Sequence, residues 1–258
     1  MMAYQNESIF FSNGWEMFPC TIDDFIHSIR FDSAVGSLDE ETKLRFPHTL
    51  ILSVRFESDD KGHPTPSERE RIYNIEDSFS CGEYDIRLIG IITGKSVARF
   101  VFCCNCNVGE DDKKILQQLL GNGYESVISD YEIRSNDNFD FYYNVVAPNI
   151  FERQWIMNRH VCMKMEEDGE VLKTPRDVDF FWYFKSDLHI QGVSEKMQKE
   201  GFAEQHSGKT EQGDYSLHMT LNGIPSHPWV NNVVANILDA IEGTDGMFDG
   251  WGSPIHRE

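Results

Sequence analysis

The stretch from Val178 to Trp251 constrains the fold most tightly, because its hydrophobic period switches in an order that few architectures accommodate. Val178-Asp179-Phe180-Phe181-Trp182-Tyr183-Phe184 is too apolar for an exposed edge strand and reads as core. Asp187 to Glu200 reads as a polar helix with Val193 and Met197 inward, ended by Gly201-Phe202. A short strand near Ala203–His206 and a turn over Gly208–Gly213 follow. Tyr215–Leu221 then alternates through Tyr215, Leu217, Met219 and Leu221. Pro228 opens a helix whose stripe, Val230, Val233, Val234, Ile237, Leu238 and Ile241, has helical spacing. Gly246-Met247-Phe248-Asp249-Gly250-Trp251-Gly252-Ser253-Pro254 supplies the closing strand and turn. The order is strand-helix-strand-strand-helix-strand.

The first half repeats that order. Thr49–Phe56 is a β-branched strand, and Thr65-Pro66-Ser67-Glu68 is a helix start with Glu68 placed for a capping box. This helix runs to about Phe79, with Ile72, Ile75 and Phe79 on one face. A hairpin joins Tyr84–Thr93 to Val97–Cys104 through a turn at Gly94-Lys95. Glu110–Leu120 is a helix with Ile115, Leu116, Leu119 and Leu120 inward, stopped by Gly121-Asn122-Gly123. Ser126–Ile133 and Phe139–Val146 read as strands, the second with Phe139, Phe141, Tyr143 and Val145 on one buried face. Trp15–Cys20 and Phe25–Phe31 precede the run as further apolar segments. Pro148 marks a boundary, and a long helix from Ile150 to about Glu167 opens the second half.

The expected fold is therefore α+β in two domains, residues 10–147 and 148–258. Each carries a ferredoxin-like β-α-β-β-α-β antiparallel sheet packed by helices, and the first has extra strands. A faint echo, Glu68-Arg69 with Ile72 and Asn74 against Glu152-Arg153 with Ile156 and Asn158, hints at two related units, although the separations drift.

Charge narrows the partners. The chain has 43 acidic and 23 basic residues, a net charge of −20. Residues 1–150 contribute 25 acids and 13 bases and the rest 18 and 10, so both halves are acidic. Such a field repels phosphate backbones and anionic membranes, which disfavours nucleic acid and membrane as partners and favours a basic protein or peptide. Met1–Glu7 has neither the basic nor the apolar region of a signal peptide, and no apolar run is long enough to span a bilayer. The six cysteines, Cys20, Cys81, Cys103, Cys104, Cys106 and Cys162, then read as reduced thiols of a cytoplasmic protein.

Several blocks resemble a known family. Phe151-Glu152-Arg153-Gln154-Trp155-Ile156-Met157-Asn158-Arg159, Pro175-Arg176-Asp177-Val178-Asp179, Phe181-Trp182-Tyr183-Phe184, Glu200-Gly201-Phe202 and above all Phe248-Asp249-Gly250-Trp251-Gly252 resemble the RraB family, regulators of ribonuclease E activity. Trp15-Glu16-Met17-Phe18 and Pro64-Thr65-Pro66-Ser67-Glu68 with Ile75-Glu76-Asp77 resemble an uncharacterised domain family that recurs ahead of RraB-like domains. The resemblance implies a small acidic protein that binds a larger RNA-processing enzyme and inhibits it without being an enzyme. Several members carry an acidic C-terminal tail, whereas here Ile255-His256-Arg257-Glu258 follows almost directly after the motif.

No chemistry-bearing constellation competes with that reading. Cys103-Cys104-Asn105-Cys106 lacks a second ligand pair, and on a strand Cys103 would face away from Cys104 and Cys106, so buried thiols are expected rather than metal. His218 and His227 have no Gly-x-Ser-x-Gly, His-Glu-x-x-His or phosphate loop beside them. Asp245 and Asp249 do not follow the spacing of a calcium loop. No catalytic residue, metal or cofactor is expected. Asp245, Asp249 and Trp251 are the candidate protein-binding residues, and Gly250, Gly252, Trp182, Tyr183 and Gly201 mark the fold. The alternative is a small-molecule-binding protein or enzyme with its site in the cleft between the domains.

Overall fold

The computed structural model describes residues 14–79, 85–105, 112–211 and 213–256. The chain divides into two compact units, Met1–Glu152 and Arg153–Glu258.

The first unit is a six-stranded antiparallel sheet. Its elements are β1 (Trp15–Ile22), β2 (Phe25–Asp32), α1 (Glu40–Leu44), β3 (His48–Arg55), α2 (Pro66–Ser78), β4 (Asp85–Gly94), β5 (Val97–Asn105), α3 (Asp112–Leu120) and β6 (Asp130–Ser135). The strands lie in the order β1-β2-β4-β5-β3-β6. Thr65 caps α2 by accepting from the Glu68 amide at 3.4 Å. The reciprocal arm of the capping box is absent: Glu68 takes the Arg71 guanidinium at 2.7 Å, and the Thr65 amide donates to Glu57 at 3.3 Å. The β4–β5 turn sits one residue later than the sequence suggests, on Lys95 and Ser96, whose φ of 51° and 63° give the double left-handed bend that matches strand twist.

Both faces of this sheet are covered. Leu50, Leu52 and Val54 of β3 and Phe100, Phe102 and Cys104 of β5 pack with Ile72 of α2 and Ile115, Leu116 and Leu119 of α3. Thr49, Ile51, Val101 and Cys103, which alternate with them, are buried as well. Phe139–Val146 accounts for the second face, and it is not the strand that its alternation predicts. A 3-10 turn (Asp137–Phe139) leads into a π-helical turn (Tyr142–Val146). Left-handed Asn138 and Phe139 (φ 53° and 57°) turn the chain off the sheet, and Phe139, Tyr142 and Val146 are buried at helical spacing, whereas Tyr143 and Val145 are exposed. Tyr142 donates to the Asp32 carbonyl at 2.9 Å, and Phe139 meets Phe46 edge-on. Gly90 allows the close approach, since a Cβ there would lie 2.4 Å from Val146 Cγ1.

The second unit takes up from Arg153 within α4 (Ile150–Glu167) and continues through β7 (Arg176–Phe184), α5 (Ile190–Lys199), β8 (Ala203–Lys209), β9 (Tyr215–Gly223), α6 (His227–Ile241) and β10 (Gly246–Gly252). Its antiparallel sheet has the order β10-β7-β9-β8. Val178, Phe180, Trp182 and Phe184 of β7 and Leu217 and Met219 of β9 meet Val193 and Met197 of α5 and the Val230–Leu238 stripe of α6. Burying each such side chain is worth about 1.5–3 kcal/mol. Among the described residues, no helix is long and apolar enough to cross a membrane.

Candidate functional site

Strand β7 sets the geometry of the second unit. Its even-numbered residues from Val178 to Phe184 are fully buried, but the odd positions are not: Phe181 is 37% exposed and Tyr183 40%. The strand is thus core on one side only, which corrects the expectation that the whole Phe180–Phe184 run is interior. The missed signal is parity. Asp177 and Asp179 share a face with Phe181 and Tyr183, and two carboxylates at the start of a face argue against burying it.

The glycine-rich motif is the edge strand β10, and it contains a bulge. Phe248 stands opposite Trp182, Gly250 opposite Phe181 and Trp251 opposite Phe180, so Asp249 is the extra residue. Phe248 and Trp251 are three apart and would face opposite ways on a regular strand; the bulge turns both onto the core, where both pack. Gly250 has φ 136°, a conformation that side-chain-bearing residues avoid. Asp249 is exposed, and Gly252 lies opposite Asp179.

Asp245 and Trp251 are held from within the unit. The Asp245 carboxylate accepts from His189 Nδ1 at 2.9 Å and from the Ser186 amide and hydroxyl at 2.8 and 2.7 Å, which pins the start of β10 to the β7–α5 connection. Those bonds, from His189 first and then Ser186, bring its pKa down to about 2. Trp251 Nε1 donates to the buried Asn158 at 2.9 Å, and Asn158 donates on to Asn231 at 2.8 Å. Nearby, His227 Nε2 lies 3.0 Å from the Trp155 carbonyl, and burial holds its pKa below the usual histidine value.

A further anchor was not anticipated. Arg176 and Glu170 form an enclosed ion pair at 2.8 Å, with side-chain exposures of 7% and 0%. Arg176 Nε also donates to Ser253 Oγ at 2.6 Å, and the His256 amide donates to Glu170 at 2.6 Å. Burial alone would raise the Glu170 carboxyl; the His256 and Leu172 amides and the Arg176 guanidinium outweigh it and hold the pKa low. Gly201 (φ 93°) ends α5, and Phe202 behind it is buried, its amide bonded to the Met197 carbonyl at 3.1 Å.

On the uncovered face of the sheet, cross-strand register gives the layout. Tyr183 lies between Met247 and Ser216, Phe181 between Gly250 and His218, and Asp179 between Gly252 and Thr220. His206 of β8 stands beside His218. The Phe181 ring stacks on His218 at 4.6 Å between centroids and 21° between planes, and His218 Nε2 lies 2.7 Å from Asp179 Oδ1. Asn222 donates to Asp177 at 2.8 Å. On the helix side, a polar groove of about 490 Å³ runs between α5 and β8, lined by Gln191, Glu195, Gln198 and Glu204 among others. Ser194 and Ser207 both bond Glu204 and hold its carboxyl below the ordinary range.

Cys103 and Cys104 are buried on β5, and burial pushes the Cys103 thiol up to about 12. Cys81 and Cys106 lie outside the described residues, as do Tyr84 and Glu110 at the starts of two expected elements. Among the described residues, no three His, Cys, Asp or Glu side chains are grouped to hold a metal ion.

Comparison with known proteins agrees with the order of the two units. Residues 13–146 match a family model described as a family of unknown function (DUF695), and residues 155–253 match RraB, the regulator of ribonuclease activity B. No curated protein matches the chain. Among solved structures, the crystal structure of an unknown protein from Galdieria sulphuraria is similar at 10% identity over 78% of this chain and 96% of that one, with a TM-score of 0.21.

Proposed function

The chain belongs to the DUF695 family, whose model spans more than half of it, and from that premise and the RraB match we propose that it is a non-catalytic regulator that binds a ribonuclease through its second unit. The observation that carries this reading is the uncovered aromatic and acidic sheet face, which lies inside the segment resembling the regulator. Charge supports it. Residues 151–258 hold 18 acids against 10 bases, a difference of −8, which favours a cationic protein surface and accelerates encounter with it. In this reading Asp249 reaches the partner from the bulge, while Asp245 and Trp251 fix the strand that presents it. The protein acts where its ribonuclease does, in the cytoplasm.

The test is RNA cleavage by an endoribonuclease of the ribonuclease E type, with and without the purified chain. Cleavage should slow in proportion to the chain added and recover at raised salt, and the chain alone should leave the RNA intact. An unchanged cleavage rate, together with no complex in sedimentation at low salt, would refute the proposal.

A further inference from the structure

We infer that the uncovered face of the second sheet docks a basic amphipathic protein segment, whose apolar side chains lie on Phe181, Tyr183 and Met247 and whose Lys or Arg side chains meet Asp177 and Asp179. This rests on the protein-binding reading above and specifies its surface and the chemistry of its partner.

Three observations carry it. The first is apolar area. Phe181, Tyr183 and Met247 are 37%, 40% and 57% exposed, and they are neighbours: Tyr183 stands directly opposite Met247, and Phe181 lies two positions along the same strand face. Aromatic and methionine side chains grouped in this way are the composition enriched at interface centres. The second is preorganisation. The Phe181 ring is already stacked on His218, which Asp179 holds, and Asn222 holds Asp177. A surface fixed before contact loses little side-chain freedom on binding.

The third is charge, which selects among occupants. Asp177 and Asp179 continue the aromatic row toward one end of β7. The bases around them are already engaged or distant: Arg176, next to Asp177, is buried against Glu170, His218 is bonded to Asp179, Lys185 follows the strand at its opposite end, and Lys209 lies over the Tyr215 ring. A second copy would bring the same two aspartates, on a molecule of net charge −20, against their equals. RNA could stack on the rings, but its phosphates would meet the carboxylates. A cationic segment with an apolar stripe satisfies both parts of the face.

A fluorescent synthetic helical peptide of leucine and lysine tests the surface on the intact chain, alongside a peptide of the same composition in scrambled order. The expected result is preferential binding of the amphipathic peptide, weakened by salt. Tyr183→Ser and the double change Asp177→Asn with Asp179→Asn should each lose about tenfold or more in affinity, the size expected of the few residues that carry most of an interface's energy. Glu195→Gln, which removes one negative charge on the helix side of the sheet, should change affinity little. Unchanged melting of the variants excludes unfolding as the cause.

The inference is overturned if the face variants bind as the native chain does, or if Glu195→Gln is as damaging. It is equally overturned if single-stranded RNA binds the face in preference to the peptide, or if Tyr183→Ser dissolves a dimer. The peptide result is independent of any ribonuclease. Loss at the face variants with no effect of the chain on RNA cleavage would keep the surface and remove the ribonuclease reading; intact inhibition by face variants would do the reverse.

Discussion

The two units share one strand plan and differ in what lies over it. In each, the strands of a β-α-β-β-α-β run lie in the order fourth, first, third, second: β6-β3-β5-β4 in the first and β10-β7-β9-β8 in the second. In the first unit, the β1–β2 hairpin extends the sheet past β4, and the segment around Tyr142 and Val146 closes its second face. In the second unit, among the described residues, β8 at the corresponding edge is paired only with β9, and the face bearing Phe181 and Tyr183 stays exposed. A sheet covered on both sides has its apolar area committed to stability. A sheet covered on one side retains area for a partner, and this contrast supports the binding surface proposed for the second unit.

Substitutions at adjacent strand positions test the contrast most strongly. Trp182→Ala should cost about 3–5 kcal/mol, as for large buried aromatics, whereas Tyr183→Ser should stay within about 0.5 kcal/mol. In the first unit, Leu52→Ala and Ile51→Ala, also neighbours, should both cost about 2–5 kcal/mol because both sides are covered. Denaturant titration checks all four, and a cheap Ile51→Ala would break the comparison. Removing Arg176 while leaving Glu170 enclosed should cost about 3–5 kcal/mol, since an uncompensated buried carboxylate remains. Hydrogen exchange over residues 170–176 and 253–256 should rise most in that variant.

Smaller effects sharpen the picture. Gly250→Ala places a side chain at φ 136° and should cost about 1–3 kcal/mol, read as faster exchange in β10. Asp245 has a folded pKa of about 2, below its unfolded value of about 4. Its contribution is therefore complete above about pH 4 and lost as the pH falls toward about 2. Asp245→Asn should flatten that acid-side loss in denaturation at stepped pH, because the variant is the less stable of the two near neutrality and the difference shrinks as the pH falls toward about 2.

Much of this was legible in the residues. The helical stripes of α2, α3 and α6 and the alternation of β9 are strong because one face of each is buried. Phe139–Val146 misleads because its apolar letters satisfy two periods at once: 139, 141, 143 and 145 suggest a strand, while 139, 142 and 146 are the buried set. What decides is the left-handed turn at Asn138 and Phe139, which composition does not signal. The outer face of β7 was readable from Asp177 and Asp179, whereas the β10 bulge depends on pairing with a strand about 70 residues away. The Arg176–Glu170 pair is hidden for a related reason, because its burial depends on the return of Ser253 and His256.

Hydroxyl-radical footprinting of the intact chain with and without the basic amphipathic peptide tests the central claim most directly. The expected result is protection of Phe181, Tyr183 and Met247 on binding, with Tyr143 and Val145 of the first unit unchanged. Protection confined to the first unit, or a footprint on the second sheet unchanged at saturating peptide, would contradict the account.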